Sequence, residues 1–380
     1  MRLETYKMKP STVVHISTVH PLFDSRIFHK ECKSLASAGI NVKLIITHAQ
    51  EEVINDIHII PLPLYKGRFK RIMFKPFVAL SKALSTHADV FHFHDPELIP
   101  IGVLLKLCGK KVIYDVHEDV PSRILDKYWI PLYLRRVISI LFKGIESFSS
   151  RFFDGIVTAT PYINKIFIER NKNSININNY PLLEEINQIE IRKNKNGPQE
   201  KIISYIGVIS KERGIIEVLK AIEDTDVKLY LAGIPSPASL MEELENMKGW
   251  QNVVYHGQLK RKDVTTLLAQ SHIGICTLHP NASYINSLPI KIFEYMGAGL
   301  PIIASNFPYW QNLLKNVNSA SFVDPLKPEE IKLAINKLIA DTEKRGLMGE
   351  RGMKAIREKY NWGSEEKKLL SFYRKLGVRI

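Results

Sequence analysis

The sequence predicts an α/β protein made of two doubly wound domains in tandem, each a parallel sheet with helices on both faces. Three observations carry this. Short β-branched runs alternate with stretches of helical periodicity, the alternating series occurs twice, and a polar, charged segment separates the two occurrences. At 380 residues the chain is long enough for two cores, and 45% hydrophobic with 24% charged residues is a globular composition.

The first series runs through VVHIS (13–17), VKLII (42–46), DVFHF (89–93), KVIYD (111–115) and GIVTA (155–159), each followed by a helical pattern. The second runs through IISYIG (202–207), VKLYLAG (227–233), VVYHG (253–257), IGICTL (273–278) and PIIAS (301–305). Residues 1–181 are therefore read as one domain and 201–361 as the other. Residues 182–200, polar and closing near Gly197-Pro198, are read as the connection. From Trp362 to 380 the spacing of Leu369, Leu370, Phe372, Tyr373 and Leu376 predicts a final helix with one apolar face. Two such domains are expected to place a ligand cleft at the carboxyl ends of their strands.

A formal net charge of +14 points to an anionic partner, and no nucleic-acid recognition motif accompanies it. Cys32, Cys108 and Cys276 are too widely spaced for a metal knuckle or a disulfide framework and read as small buried residues in a reducing compartment. MRLETYKMKPSTVVHI has no apolar signal core, and no run approaches the roughly eighteen apolar residues of a spanning helix. The expected location is the cytoplasm.

The chemistry concentrates in NSLPIKIFEYMGAGLPIIASNFPYW (286–310). Pro289 opens a helix on which Lys291 and Glu294, three apart, share a face while Ile292, Phe293 and Met296 turn to a core. The helix start offers free N–H groups to an anion, Lys291 a cation and Glu294 a carboxylate for ribose hydroxyls: a nucleotide-sugar site in outline. In YIGVISKERGIIEVLKAI (205–222), Gly207 sits in a strand-to-helix turn that lets the backbone approach a phosphate, with Lys211 and Arg213 as local cations. An ordinary turn carrying surface cations is the plain alternative. VIYDVHEDVP (112–121) puts His117 just past a strand end, as a site residue or as the hydrogen-bond partner of Asp115 or Glu118. FHFHDPELIPIG (91–102) does the same with His94, Asp95 and Glu97. In HPLFDSRIFHKE (20–31), Asp24 and Arg26 are candidate ligand contacts, Arg26 equally a salt-bridge partner. Asp95, Glu97, Asp115, Glu118 and Asp119 show no metal-ligand spacing.

FEYMGAGLPIIAS resembles the most recognisable segment of the GT-B retaining glycosyltransferases of family 4, and the HDPEL element (94–98) resembles one subgroup of them. The resemblance implies two Rossmann-like domains facing across a cleft, with the last helix crossing back to the first domain. It implies an enzyme that moves a sugar from an NDP-sugar, UDP or GDP, to a cell-surface glycan or a lipid-linked precursor, with no metal. Glu294 matches the second of the family's two spaced glutamates and would bind the ribose. Asn286 stands where the first would be and holds hydrogen bonds but no charge. Lys291 matches the family lysine. Gly207, Arg213 and Lys291 would hold the diphosphate, although Val208 stands where the family has an arginine. His117 resembles the family's N-domain histidine and would position the transferred sugar with Asn286. Asp24, Arg26, His94 and Asp95 are candidate acceptor or sugar contacts.

Two further stretches account for much of the basic charge. Residues 57–88 lack acids while Lys66, Arg68, Lys70, Arg71, Lys75 and Lys82 accumulate beside Tyr65, Phe69, Phe74 and Phe77. Residues 128–153 mix aromatic residues with Arg135, Arg136, Lys143 and Arg151. Both read as surfaces for an anionic membrane, on its inner face, or as helices with ordinary basic outer sides. The substitutions Val208 and Asn286 leave open a non-catalytic GT-B subunit, and an NDP-sugar epimerase on the same fold remains a further alternative.

Overall fold

The computed structural model describes residues 11–127, 130–193 and 200–379. The chain forms two compact units, one of residues 1–179 with 364–380, the other of residues 180–363. The parts of the sequence reading that fall on residues 1–10, on Tyr128 and Trp129, on 194–199 and on Ile380 lie outside the described residues.

Unit 1 is built on an eight-stranded sheet ordered β3-β4-β2-β1-β5-β6-β7-β8. Its strands are β1 (Thr12–Ile16), β2 (Asn41–Thr47), β3 (Glu52–Ile54), β4 (Ile57–Leu62), β5 (Val90–Phe93), β6 (Lys111–Val116), β7 (Gly155–Thr158) and β8 (Ser174–Asn176). All pair in parallel except β3, which folds back on β4 through Asn55 and Asp56, both at positive φ. Asn and Asp tolerate that conformation, which suits a two-residue hairpin. The series read from the sequence omits β3, β4 and β8, all short or on the sheet's flanks.

The central strands are buried on both faces, which is why they read as unbroken apolar runs. One face carries Val14, Ile16, Phe91, Phe93 and Tyr114, covered by Ala79 and Ala83 of helix Arg68–Ser85, by Leu105, and by Phe153 and Ile163. The alternate residues His15, His92 and Asp115 point to the opposite face, as the two-residue strand period requires. The final helix, Trp362–Lys375, meets the sheet at His92 through Tyr373 and at Gly155 through Phe372. A Cβ at Gly155 would stand 2.5 Å from the Phe372 ring.

Unit 2 has a six-stranded parallel sheet ordered β11-β10-β9-β12-β13-β14. Its strands are β9 (Lys201–Ile206), β10 (Val227–Ala232), β11 (Val253–Gly257), β12 (Ile273–Cys276), β13 (Ile302–Ser305) and β14 (Ala320–Val323). In each sheet the strand order reverses once, between β1 and β5 and between β9 and β12. The crevice at the carboxyl ends beside such a reversal is where doubly wound sheets bind ligands.

The expected connection at 182–200 needs correction. Residues Leu183–Lys193 form a helix of unit 2 that packs on helix Arg261–Gln270, with Ile186 buried against Gly297. Leu183 and Ile186, three apart, supply an apolar stripe narrow enough to be hidden by the charged residues around it. Cys108 is also corrected: it is exposed, whereas Cys32 and Cys276 are buried.

Candidate functional site

In unit 2 the candidate site grows from the β9/β12 reversal. Gly207 follows β9 with φ +137°, a conformation a side chain disfavours, and its N–H donates to the Ala232 carbonyl. A Cβ built there would lie 3.7 Å from Arg213 Nη1 and 4.0 Å from Lys291 Cε. Two cations from different elements therefore converge over a backbone position that has no side chain. Arg213 is fixed by the turn that ends at Gly214, whose φ of +76° brings the backbone so close to β12 that a Cβ would stand 2.1 Å from the Thr277 carbonyl oxygen. The Arg213 guanidinium lies 5.9 Å from the centre of the Tyr284 ring. Burial pushes the Cys276 thiol, at the end of β12, up to about 12, while the charges of Arg213 and Lys291 pull it down. Both cations thus project their fields onto the end of the same strand.

Lys291 and Glu294 share one face of helix Ile290–Gly297, with Nζ 2.5 Å from Oε2. The other oxygen, Oε1, accepts from Arg261 Nη1 at 2.6 Å, and Arg261 in turn grips Glu185 through Nε (2.8 Å) and Nη2 (2.5 Å). Burial alone would raise the Glu294 carboxyl, but Lys291 and Arg261 outweigh it and hold it at about 2. Glu294 is thus an anion at any ordinary pH, with two of about four lone-pair sites engaged by cations. Asn286 is half-buried in the turn before the helix, and Val208 is 43% exposed beside Gly207.

In unit 1 the reversal between β1 and β5 holds a second cluster. Asp115 is fully buried at the end of β6 and accepts from Arg26 Nε and Nη2 (both 2.9 Å), His94 Nδ1 (3.0 Å) and His117 Nε2 (2.8 Å). Burial would raise this carboxyl, yet Arg26 and then His117 hold it well below the usual carboxylate range. Glu31 lies 3.0 Å from Arg26 Nε, whose hydrogen is committed to Asp115, and neither of its oxygens has a hydrogen-bond partner. Burial and the neighbouring Asp115 charge push Glu31 well above the usual range.

This geometry sorts the residues singled out from sequence. His117 is partly exposed, its Nε2 on Asp115. His94 is enclosed between His15 and Asp115. Arg26 is spent on Asp115, Glu31 and the Ile177 carbonyl. Asp95 is 2% exposed and accepts from Ser17 Oγ and the Thr18 and Val19 N–H groups. Asp24 accepts from the Arg26 and Ile27 N–H groups and faces His20. Arg26 and Asp95 therefore serve the frame rather than a ligand. His94, Asp115 and His117 each bring one donor atom within 4.8 Å of the others, as do His15, Glu31, His92 and His94. The sequence suggested only the Asp115–His117 pair; His15, Glu31 and the His92–His94 pair come from separate elements far apart in the chain, which spacing does not record.

The surface helices hold another surprise. In helix Leu132–Ser150 the buried residues are Ser139, Glu146, Ser149 and Ser150, while Leu132, Tyr133, Val137, Ile140, Leu141, Ile145 and Phe148 are exposed. Helix Arg68–Ser85 likewise exposes Phe69, Ile72, Met73, Phe74 and Phe77. Lys75, counted above among the surface cations, is instead buried and donates to the Thr18 carbonyl at 2.7 Å. Among the described residues no helix is long and apolar enough to cross a membrane.

Two α/β units built on largely parallel sheets with strand reversals are what GT-B proteins have, and solved structures show this chain to share that fold. Sucrose-phosphate synthase from Thermosynechococcus elongatus superposes with a TM-score of 0.77 at 18% identity, over 97% of this chain and 99% of that one. Anabaena HepE in complex with UDP-glucose gives 0.72 at 10% identity, over 96% and 99%. Residues 25–175 match the family described as Glycosyltransferase Family 4, and residues 187–355 match Glycosyl transferases group 1. These two matches, one in each unit, support a glycosyltransferase of the group 1 and family 4 kind, on the fold that the solved structures share. An uncharacterized glycosyltransferase of Methanocaldococcus jannaschii is 23% identical over 180 residues, 46% of this chain and 45% of the relative. The chain spans about half the length of the curated relatives it matches first.

Proposed function

We propose that the protein is a retaining glycosyltransferase of the subgroup carrying the HDPEL element, using a UDP- or GDP-sugar without a metal ion. The observation that carries this is the convergence of Arg213 and Lys291 over Gly207, beside a helix start and a Glu294 that is ionised at any ordinary pH. The two cations and the helix dipole stabilise the diphosphate as it leaves, which is where a transferase of this kind needs charge. The remaining lone pairs of Glu294 accept from the ribose hydroxyls. His117, held by Asp115, and Asn286, as a neutral hydrogen-bonding side chain, position the transferred sugar. The acceptor is a glycan or its lipid-linked precursor at the inner face of a membrane. Support for that location comes from the apolar outward side of helix Leu132–Ser150, with Arg136 and Lys143 exposed on it.

Thermal unfolding of the purified protein against UDP-, GDP-, ADP- and dTDP-sugars without added metal tests the donor site. One nucleotide raising the midpoint, with the effect lost in Lys291→Ala, supports it. Glu294→Ala and Lys291→Ala should each slow turnover at least about tenfold, about 1.4 kcal/mol of transition-state stabilisation. No response to any nucleotide from a folded sample would favour a non-catalytic subunit.

A further inference from the structure

The buried face of the unit 1 sheet holds three histidines that the donor chemistry does not use. His15 and His92 are 0% exposed and His94 is 2% exposed. Their contacts form one series, with a side contact from His94 Nδ1 to His117 Nε2 at 3.4 Å. His94 Nδ1 meets Asp115 at 3.0 Å, His15 Nδ1 meets His94 Nε2 at 2.9 Å, Tyr373 Oη meets His15 Nε2 at 3.4 Å, and His92 Nδ1 meets Tyr373 Oη at 2.7 Å.

With each of these contacts a hydrogen bond and each imidazole neutral, the proton count along the series has one solution. Asp115 is an anion and accepts, so His94 carries its proton on Nδ1 and presents a bare Nε2. His15 must then donate from Nδ1, which leaves its Nε2 as the acceptor for the Tyr373 hydroxyl. Tyr373, having donated, accepts from His92 Nδ1–H, and His92 is left with a bare Nε2. That atom is one of the buried polar atoms without a hydrogen-bond partner among the described residues. Burial foremost pushes all three imidazoles down, which keeps them neutral. A chain that stops at a buried bare nitrogen cannot pass a proton to solvent, so its action is to fix tautomers and orientation.

We infer that Tyr373, on the last helix of the chain, is a positioning residue for His117, acting through His15, His94 and Asp115. The inference rests on the reading of His117 as the sugar-positioning histidine. The groups that face His117 are Asp115, His94 at 3.4 Å, and the His20 ring at 5.0 Å, with Asp24 and Asp95 behind His20. Of these, only Asp115 and His94 lie on the chain. Without the Tyr373 hydroxyl, His15 Nε2 loses its donor and the Nδ1–H tautomer its reason. His94 is then free to shift its proton to Nε2, and Asp115 loses one of the two side chains, Arg26 and His94, that aim it at His117.

The test uses histidine-selective 15N labelling of the full-length protein, whose 12 histidines are resolved by long-range proton–nitrogen correlation. The expected result is that His15, His92 and His94 are all neutral Nδ1–H tautomers. In Tyr373→Phe, the nitrogen resonances of His15, His94 and His117 should move, while those of an unconnected residue such as His256 stay. His15→Gln should move His94 and His117 alike, and the double variant should move His117 no further than either single one, since both cut the same chain. It also serves if Tyr373→Phe fails to fold. An Nε2–H tautomer at His94, or unchanged His117 resonances in both variants, overturns the inference. So does a stoichiometric metal held by His15, Glu31, His92 and His94, since a bound ion would take the nitrogen lone pairs. Where the transferase reading holds, Tyr373→Phe should also lower kcat several-fold with the donor KM unchanged. The resonances report on the chain even if no transfer is found.

Discussion

At the scale of single residues, Glu294 is the sharpest case because its ionisation is written into stability. Its folded value of about 2 lies below the ordinary 4.5. The folded state therefore binds the proton less tightly than the unfolded one. The stabilisation is complete above about pH 4.5 and is lost as pH falls toward 2. The shift corresponds to roughly 3 kcal/mol at neutral pH. Glu294→Gln should cost unit 2 stability of that order at pH 7 and little near pH 2, read from denaturant unfolding at several pH values. A constant gap across that window would mean that the charge of Glu294 is not what Lys291 and Arg261 bind. Gly207→Ala separates binding from folding in the same site. The added methyl meets no atom closer than 3.7 Å, yet it occupies the space between the two cations and must adopt a positive φ. Nucleotide affinity should fall at least about tenfold, with strain of about 1–3 kcal/mol in stability. Unchanged affinity by calorimetry would remove Gly207 from the anion site.

At the scale of elements, what the sequence disclosed follows from where the information lies. Lys291 and Glu294 were legible because they share a helix face within one turn. His117 was legible because it ends a strand. Arg261 was not: it reaches Glu294 from another helix, 33 residues away, and no local periodicity records such a meeting. Arg26 and Asp115, 89 residues apart, were hidden for the same reason. Most strands announced themselves through burial on both faces, whereas the helix Leu183–Lys193 concealed its two apolar anchors among charges. Helix Leu132–Ser150 misleads in another way, since its acid points inward. Glu146 is 3% exposed, 3.4 Å from Arg170 and 3.3 Å from the Tyr114 hydroxyl. Burial pushes its carboxyl up to about 7, with Arg170 opposing. The native state thus keeps a proton that the unfolded chain releases above about 4.5. Stability contributed here is complete below about pH 4.5 and is lost as pH rises through 7, by roughly 3 kcal/mol. Glu146→Gln, which cannot ionise, should flatten that part of the pH–stability profile of unit 1 and gain on the wild type at pH 8. A variant whose profile stays parallel to the wild type from pH 5 to 8 would show that Glu146 is ionised when folded.

At the scale of the whole molecule, the charge of +14 and the outward apolar residues belong to one argument. Helices Arg68–Ser85 and Leu132–Ser150 cover the same face of the unit 1 sheet, where Ala79 and Ala83 of the first and Phe142 of the second join one core. Their exposed sides carry Phe69, Phe74, Phe77, Ile140, Leu141 and Phe148, with Lys70, Arg136 and Lys143 among them. Cations near an anionic bilayer contribute about 1 kcal/mol each, and are screened by salt. An apolar side chain taken fully out of water contributes about 1.5–3 kcal/mol and is not screened. Charge should therefore select the lipid and apolar insertion should hold the protein there. The full-length protein should co-sediment with vesicles rich in phosphatidylglycerol far better than with phosphatidylcholine vesicles. Raising salt should weaken capture without abolishing it. Replacing Ile140, Leu141 and Phe148 together with serine should reduce partitioning by more than tenfold and leave the nucleotide-induced thermal shift intact, since that site lies in unit 2. Equal capture by both lipids would remove the role of charge, and no loss in the triple variant would overturn the proposal that the outward side of this helix meets a membrane.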